Sequence, residues 1–393
     1  EAWFEKPPLL YWLGAAGFAL GLSEDLAPRL PVALVAIGFV LYFWVWVRRQ
    51  FDAGVATCAA IMLATCAGWL AVSHIALTDL PLAACLSAAM LLSYEERSPV
   101  AAGVFLGLAV LAKSLVALVL FLPAIWFLRH RRRQLLIILA IAFVVAAPWN
   151  IAMAWRYGSP FWGEQFLRHQ FGRFTSDELK HVQPFWFYIP VLLGLLFPWT
   201  PMLVTAFRRD CFSSRAQRFL SCWFGFGILF FSASRNKLPG YLIPVLPPLI
   251  VLMAIGLEHS RTTARWLLAV SGLLLWLIPT TAAVLPQVLL NGLSRTQLSF
   301  SPLWGIPVAV FAGALFGLDL TGKRHLAVVA LGCAMAVAVA YLTWYTYPIL
   351  DQSVSARSFW NQEHGSVVCA DHPSRAWHYS LNYYARRTVP NCN

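Results

Sequence analysis

Long apolar runs, separated by short clusters of Arg, Pro and acidic residues, dominate the chain from end to end. Eight of them, near 27–47, 54–74, 134–155, 185–207, 241–257, 266–291, 303–319 and 326–347, have the length an α-helix needs to span about 30 Å of hydrocarbon. Four shorter runs, near 80–94, 99–112, 115–128 and 219–232, predict further crossings with polar flanks or broken helices. The run at 9–22 follows Pro7 and Pro8 and predicts a helix lying along the membrane surface. Twelve crossings in this chain are therefore expected.

The distribution of charge supports that alternation, because loops on the cytoplasmic side carry the Lys and Arg excess. The loops at Arg48–Arg49, Arg97, Arg129–Arg133, Arg208–Arg218, Arg261–Arg265 and Lys323–Arg324 hold 15 of the 29 basic residues against 6 of the 17 acidic ones. The other side holds the remaining 14 and 11, although it includes the longest loop, 156–184, and the tail. The polar machinery is thus expected outside the cytoplasm. Composition narrows the class further: 60% of residues are hydrophobic and 12% charged, where a soluble domain carries about 25% charged. An ordinary soluble enzyme and a nucleic-acid-binding fold are excluded, and the net charge of +12 is topological.

Three units are expected: residues 1–26, a juxtamembrane loop and surface helix; 27–347, the multi-helix membrane domain with its loop 156–184; and 348–393, a small external tail. In the tail, 367–369 and 388–389 predict short strands around a helix at 374–384, an α/β arrangement. Of the eight cysteines only Cys369 and Cys392 share the oxidising side, which leaves a disulfide between them open. The chain starts at Glu1, without Met, on the side away from the cytoplasm, so a membrane helix and the start of the first external loop are expected upstream.

Candidate chemistry clusters on the external side. Phe4-Glu5-Lys6-Pro7-Pro8 places an acid and a base before the surface helix, as a catalytic loop or as an interfacial anchor. Thr78-Asp79-Leu80-Pro81 sets an acid where one crossing gives way to the next, where it can act chemically or cap the helix. Ser234-Arg235-Asn236-Lys237-Leu238-Pro239-Gly240-Tyr241 brings two cations beside a glycine, a cradle for phosphate or a contact with lipid headgroups. The loop 156–184 is too dense in aromatic and charged residues for a plain connector. With Glu5, its His169 and His181 make a site for Zn²⁺, Mg²⁺ or another divalent ion possible, without tight ligand spacing.

These motifs, with Arg29-Leu30-Pro31 and Pro184-Phe185-Trp186-Phe187-Tyr188, resemble the polyprenyl-phosphate-sugar glycosyltransferases related to protein O-mannosyltransferases, most of all the lipid A 4-amino-4-deoxy-L-arabinose transferases. The resemblance implies an all-α polytopic membrane fold of GT-C type, lacking the family's first helix, with periplasmic juxtamembrane helices and a small periplasmic C-terminal domain. It implies an undecaprenyl-phosphate-linked sugar as donor and lipid A or another outer-leaflet lipid as acceptor, in the bacterial inner membrane with the site facing the periplasm. It suggests Lys6 and Tyr241 as donor-phosphate contacts, Asp79 and Lys6 as catalytic residues and Glu5 with a histidine of the 156–184 loop as a metal site; the charge growing on a departing phosphate adds Arg235 and Lys237 to the phosphate contacts. The chain departs from the family twice. It starts after the family's Asp-Glu pair, and a Lys-Gly-Pro turn appears as Lys113-Ser114-Leu115.

Within the same chemistry, the alternative is transfer of galacturonic acid or a hexose to lipopolysaccharide core or protein. A transporter would place ionisable groups at the bilayer midplane and show internal repeats, whereas here the charges crowd one face.

Overall fold

The computed structural model describes residues 4–165, 168, 182–208, 212–260, 262–292, 296, 302–353, 355–363, 369–371 and 374–392. The apolar run after Pro8 forms α1 (Leu9–Ala19), which packs on α2 (Leu30–Gln50). There follow α3 (Ala53–Thr65), α4 (Ala67–Ser73), α5 (Asp79–Glu95), α6 (Pro99–Lys113), α7 (Val116–Leu120), α8 (Leu122–Phe127) and α9 (Arg132–Tyr157). After the short α10 (Ser159–Trp162) comes α11 (Tyr188–Leu195), then a 3₁₀ stretch at Thr200–Phe207 and α12 (Arg215–Ala233). A second 3₁₀ stretch, Pro239–Val245, leads into α13 (Leu246–Glu258). The membrane part closes with α14 (Thr263–Leu274), α15 (Leu277–Asn291), α16 (Gly305–Leu320) and α17 (Arg324–Tyr345).

Two helices form the centre. From Leu80 to Leu91 every residue of α5 is buried, and so is every residue of α13 from Leu246 to Leu257. Such helices have no polar face because every side meets another helix. The outer helices show one apolar face to the outside instead: Leu41 of α2, Phe143 of α9 and Val337 of α17 are 63, 68 and 69% exposed, as lipid-facing side chains must be. Close approach is set by small residues. In α6, Gly103 and Gly107 lie against α9, where an added Cβ would come within 2.7 Å of the Ile138 carbonyl oxygen and 2.9 Å of that of Ala142. This Gly-x-x-x-Gly spacing lets two backbones touch, which dispersion alone rewards in lipid.

The expected count of twelve crossings is corrected. Among the described residues, six helical stretches are long and apolar enough to span a membrane: Leu30–Gln50, Arg132–Tyr157, Pro239–Glu258, Thr263–Leu290, Pro302–Leu320 and Arg324–Ser353. Eight are reached if the bent pairs Ala53–Thr65 with Ala67–Ser73 and Phe185–Leu195 with Thr200–Phe207 each count as one span. The reason is length and polarity. The acid-flanked α5 has 17 residues and α6 has 15, the run at 115–128 breaks into two short helices at Phe121, and α12 opens on Arg215 and Arg218.

The α/β tail is corrected too, since no strand exists among the described residues. The tail consists of α18 (Tyr347–Ser353), α19 (Arg357–Glu363) and α20 (Arg375–Ala385), the last capped by the Ser374 hydroxyl. Ala370 and Asn391 form one isolated bridge, tied by the Cys369–Cys392 disulfide. A ladder cannot extend from it, because the polar groups of Val389 are taken by side chains of α20. Its N–H donates to Asn382 and its carbonyl lies 2.6 Å from the His378 ring, while Pro390 has no N–H to give. The tail docks on the loop after α1: the Tyr384 hydroxyl donates to Asp25 at 3.0 Å, and Arg357 and Arg386 pair with Asp25 and Glu24.

Candidate active site

Asp79 is the first residue of α5, and its carboxylate is not the cap of that helix. It accepts from the Lys113 ammonium, the last residue of α6, at 2.7 Å, with the two side chains 16 and 14% exposed. The first turn of a helix favours a negative charge, and the end of an apolar helix carries the cation that balances it. Lys113 also stands 4.7 Å above the ring of Tyr241, a cation–π arrangement, and that ring packs on Phe231 at 5.5 Å. Gly240 completes the cluster: a Cβ there would fall 2.8 Å from Asp79 Oδ1. Only the residue without a side chain lets the backbone of the 3₁₀ stretch come so close to the carboxylate.

Lys113 is the functional candidate that sequence reasoning missed. Its turn departs from glycine, and Ser114 still takes a glycine-like conformation, with φ 61° and ψ −142°, while buried. The backbone reversal that aims α6 at Asp79 is kept although the residue best suited to it is absent.

The Arg235–Tyr241 segment is braced from below. Lys237 is buried, and its ammonium donates to the Gln183 carbonyl at 3.0 Å and to the Ser234 carbonyl. Burial lowers its pKa from the ordinary lysine value. Asn236 bridges to Val182, and Gln183 N–H donates to the Arg235 carbonyl, so the segment is clipped to the chain just before Phe185. Tyr188 adds a bond from its hydroxyl to the Leu238 carbonyl. Arg235 itself is exposed.

Glu5 and Lys6 pair at 2.9 Å, part-buried. Phe4 anchors this loop edge-on between Tyr157 at the end of α9 and Phe161, and α1 carries it alongside α6. Burial and the nearby Glu5 raise the pKa of the Tyr11 hydroxyl on that helix. His169 and His181 lie outside the described residues. Glu5 is thus the described member of the expected metal set, and one carboxylate paired with a lysine offers a single ligand. Among the described residues one group of Cys, His and carboxylate could hold a metal ion, Cys58 with Glu258 and His325. It sits at the other end of the bundle, beside Arg324.

The architecture defines a polytopic, all-helical membrane protein with a charged cluster at one end of its central helices. A family model described as dolichyl-phosphate-mannose-protein mannosyltransferase matches residues 5–152. The crystal structure of ArnT from Cupriavidus metallidurans bound to undecaprenyl phosphate superimposes with a TM-score of 0.76 at 22% identity, covering 98% of this chain and 75% of that one. The undecaprenyl phosphate-alpha-4-amino-4-deoxy-L-arabinose arabinosyl transferase of Erwinia tasmaniensis is 31% identical over 289 residues, 68% of this chain and 52% of the relative. The corresponding transferase 2 of Proteus mirabilis is 28% identical over 375 residues, 86% of this chain and 66% of the relative. The chain spans about half to two thirds of the length of these curated relatives. The chain shares the fold of that solved transferase. In sequence it is similar to the undecaprenyl phosphate-alpha-4-amino-4-deoxy-L-arabinose arabinosyl transferases.

Proposed function

We propose that this protein transfers a sugar from undecaprenyl phosphate to an acceptor in the outer leaflet of the inner membrane, with 4-amino-4-deoxy-L-arabinose going to a phosphate of lipid A. The single observation that carries the reading is the part-buried Asp79–Lys113 pair against Gly240 and Tyr241, in a fold shared with a transferase solved with undecaprenyl phosphate. In this reading residues 1–26 cover the site, 27–347 form the catalytic membrane domain, 348–393 dock over the first loop, and the site faces the periplasm.

The chemistry follows from charge. An acceptor oxygen bonds to the anomeric carbon while the bond from that carbon to the donor phosphate breaks, and the phosphate leaves with the electron pair. Negative charge grows on that phosphate, and fixed cations aimed at it lower the barrier. Lys6, Arg235 and the Tyr241 hydroxyl are the donor-phosphate contacts. Lys237 serves that set from behind, holding the segment that presents Arg235 and Tyr241 through its two carbonyl bonds. An acceptor phosphate is already ionised, so positioning dominates and a strong base is unnecessary. Asp79 with Lys113 fixes the geometry at the start of α5, and Lys6, paired with Glu5, supplies the cation of the first loop. A divalent ion at Glu5 with His169 or His181 would add positive charge at the leaving group.

Mass spectrometry of lipid A from cells with and without the protein tests this directly. An aminoarabinose increment on a phosphate, present only with the protein and lost with Lys6→Ala or Asp79→Ala, is the expected result. Unchanged lipid A at normal protein abundance would move the acceptor to lipopolysaccharide core or protein and the donor to galacturonic acid or a hexose. Full activity in both variants would overturn the site.

A further inference from the structure

Three side chains unused by the proposed reaction converge at the arginine-rich end of the bundle. Cys58 lies in the second turn of α3, Glu258 is the last residue of α13 and His325 is the second of α17. Cys58 Sγ is 3.3 Å from Glu258 Oε1 and 3.7 Å from His325 Nδ1, and that nitrogen is 3.6 Å from the same Glu258 oxygen. A thiol hydrogen bond explains the first distance and not the triangle. A tetrahedral Zn²⁺ ion, bound to sulfur at about 2.3 Å and to nitrogen and oxygen at about 2.0–2.2 Å, sets ligand-to-ligand separations of roughly 3.3–3.6 Å. The three atoms already stand within a few tenths of an ångström of those values.

We propose that Cys58, Glu258 and His325 form a Zn²⁺ site that staples α3, α13 and α17 at the end of the bundle opposite Asp79, with water as the fourth ligand. The donor set selects the metal, since a thiolate beside an imidazole disfavours Mg²⁺ and Ca²⁺ and favours Zn²⁺. Charge closes as well: one thiolate and one carboxylate neutralise the dication, and a neutral imidazole adds nothing. Binding releases the Cys58 proton to solvent, and the S–H bond is replaced by S–Zn.

The surroundings fix the ligands. Arg324 donates to the carbonyls of Leu257, Glu258 and Ser260 at 2.7, 3.0 and 2.6 Å, which pins the end of α13, and pairs through Nε with Asp319 at 2.6 Å. Its Nη1 also stands 3.9 Å from Glu258 Oε2, the carboxylate oxygen that is not in the triangle. On the other flank the imidazole packs flush on the start of α3. A Cβ at Gly54 would meet His325 Cε1 at 2.8 Å and Asp52 Oδ1 at 3.0 Å. Contacts of this kind behind the ligands hold them in place before metal arrives. Cys58 is buried while the His325 side chain is 55% exposed, so an ion enters from solvent past the imidazole.

Co²⁺ is the probe that separates this site from one at Glu5, which has no sulfur. Purified full-length protein in detergent, stripped with chelator and reloaded with CoCl₂, is expected to show the near-ultraviolet thiolate-to-cobalt charge-transfer band, and Cys58→Ser is expected to lose it. Elemental analysis after Zn²⁺ loading is expected to give about one equivalent less metal in Cys58→Ser/His325→Ala than in wild type. His325 is half exposed and Cys58→Ser is nearly isosteric, so both variants keep the fold. Absence of the band in the wild-type protein, or its persistence in Cys58→Ser, would overturn the proposal whatever the transferase assay shows.

Discussion

The Asp79–Lys113 pair makes a quantitative test of the site. Charge-neutral replacements of similar shape, Asp79→Asn and Lys113→Met, remove either charge alone or both together. Breaking a fully buried pair from one side costs about 3–5 kcal/mol, and an exposed pair is worth about 0.2–1 kcal/mol. With 16 and 14% of the side chains exposed, each single variant should lose about 1–3 kcal/mol, because the survivor keeps a charge with neither partner nor full hydration. The double variant leaves no stranded charge and should cost less than the sum, a coupling of roughly 1–3 kcal/mol. Lys113→Met also gives up its contact with Tyr241, worth about 0.5–2 kcal/mol, which makes it the costlier single change. Equilibrium unfolding of the four proteins in mixed micelles gives the cycle. Additivity within about 0.5 kcal/mol would show the pair to be uncoupled and would refute the reasoning.

Gly240→Ala places a methyl 2.8 Å from Asp79 Oδ1, so it should displace the carboxylate from Lys113, cost about 1–3 kcal/mol and lower transfer as Asp79→Asn does; wild-type transfer rates would refute the close approach. Ser114→Gly removes the penalty of a side chain at φ 61° and should stabilise the protein by about 1–2 kcal/mol, read as a rise in Tm, whereas Ser114→Ala should give none of that gain. In the tail, burial first and then the hydrogen bond to Asp25 push the Tyr384 hydroxyl up to about 12. A free tyrosine ionises near pH 10, so docking on the Glu24–Asp25 loop is complete below about pH 10 and weakens as pH rises towards 12. Tyrosinate absorbance should show this late component in the wild type and lose it in Tyr384→Phe.

What could be read from the sequence depended on whether a signal was local. The membrane class, the surface helix and the external charge clusters are local, and α1 and the helix after Ser374 appear where the pattern puts them. The role of Lys113 was not legible: in sequence it stands only in a turn that departs from the family's, and its partner, 34 residues away in sequence, is revealed only when α5 and α6 pack. Lys237 shows the opposite case. Beside Arg235 and Gly240 it reads as a phosphate ligand, yet the fold buries it among backbone carbonyls that need a donor. The tail misled because Val389 has a strand former's side chain, while its backbone bonds go to Asn382 and His378. β-propensity describes how a side chain fits a sheet and says nothing about which partners reach its backbone first.

The span Pro239–Glu258 joins the two ends of the molecule. Its first turns are 3₁₀ rather than α, and Pro239, Pro244, Pro247 and Pro248 explain why: each removes an N–H, so the tighter, less demanding turn is kept until α13 can start with its prolines at the N-terminal positions. That irregular start brings Gly240 against Asp79 and turns the Tyr241 ring under Lys113. From Leu246 to Leu257 the helix is regular and fully enclosed, and it ends at Glu258, where Arg324 donates to its last carbonyls. A rod enclosed on all sides cannot relieve strain sideways, because interiors this densely packed transmit displacement instead of absorbing it. A clamp on Glu258 therefore fixes the axial position of Gly240 about 30 Å away, and loosening that clamp should widen the Asp79 cluster without touching any residue in it.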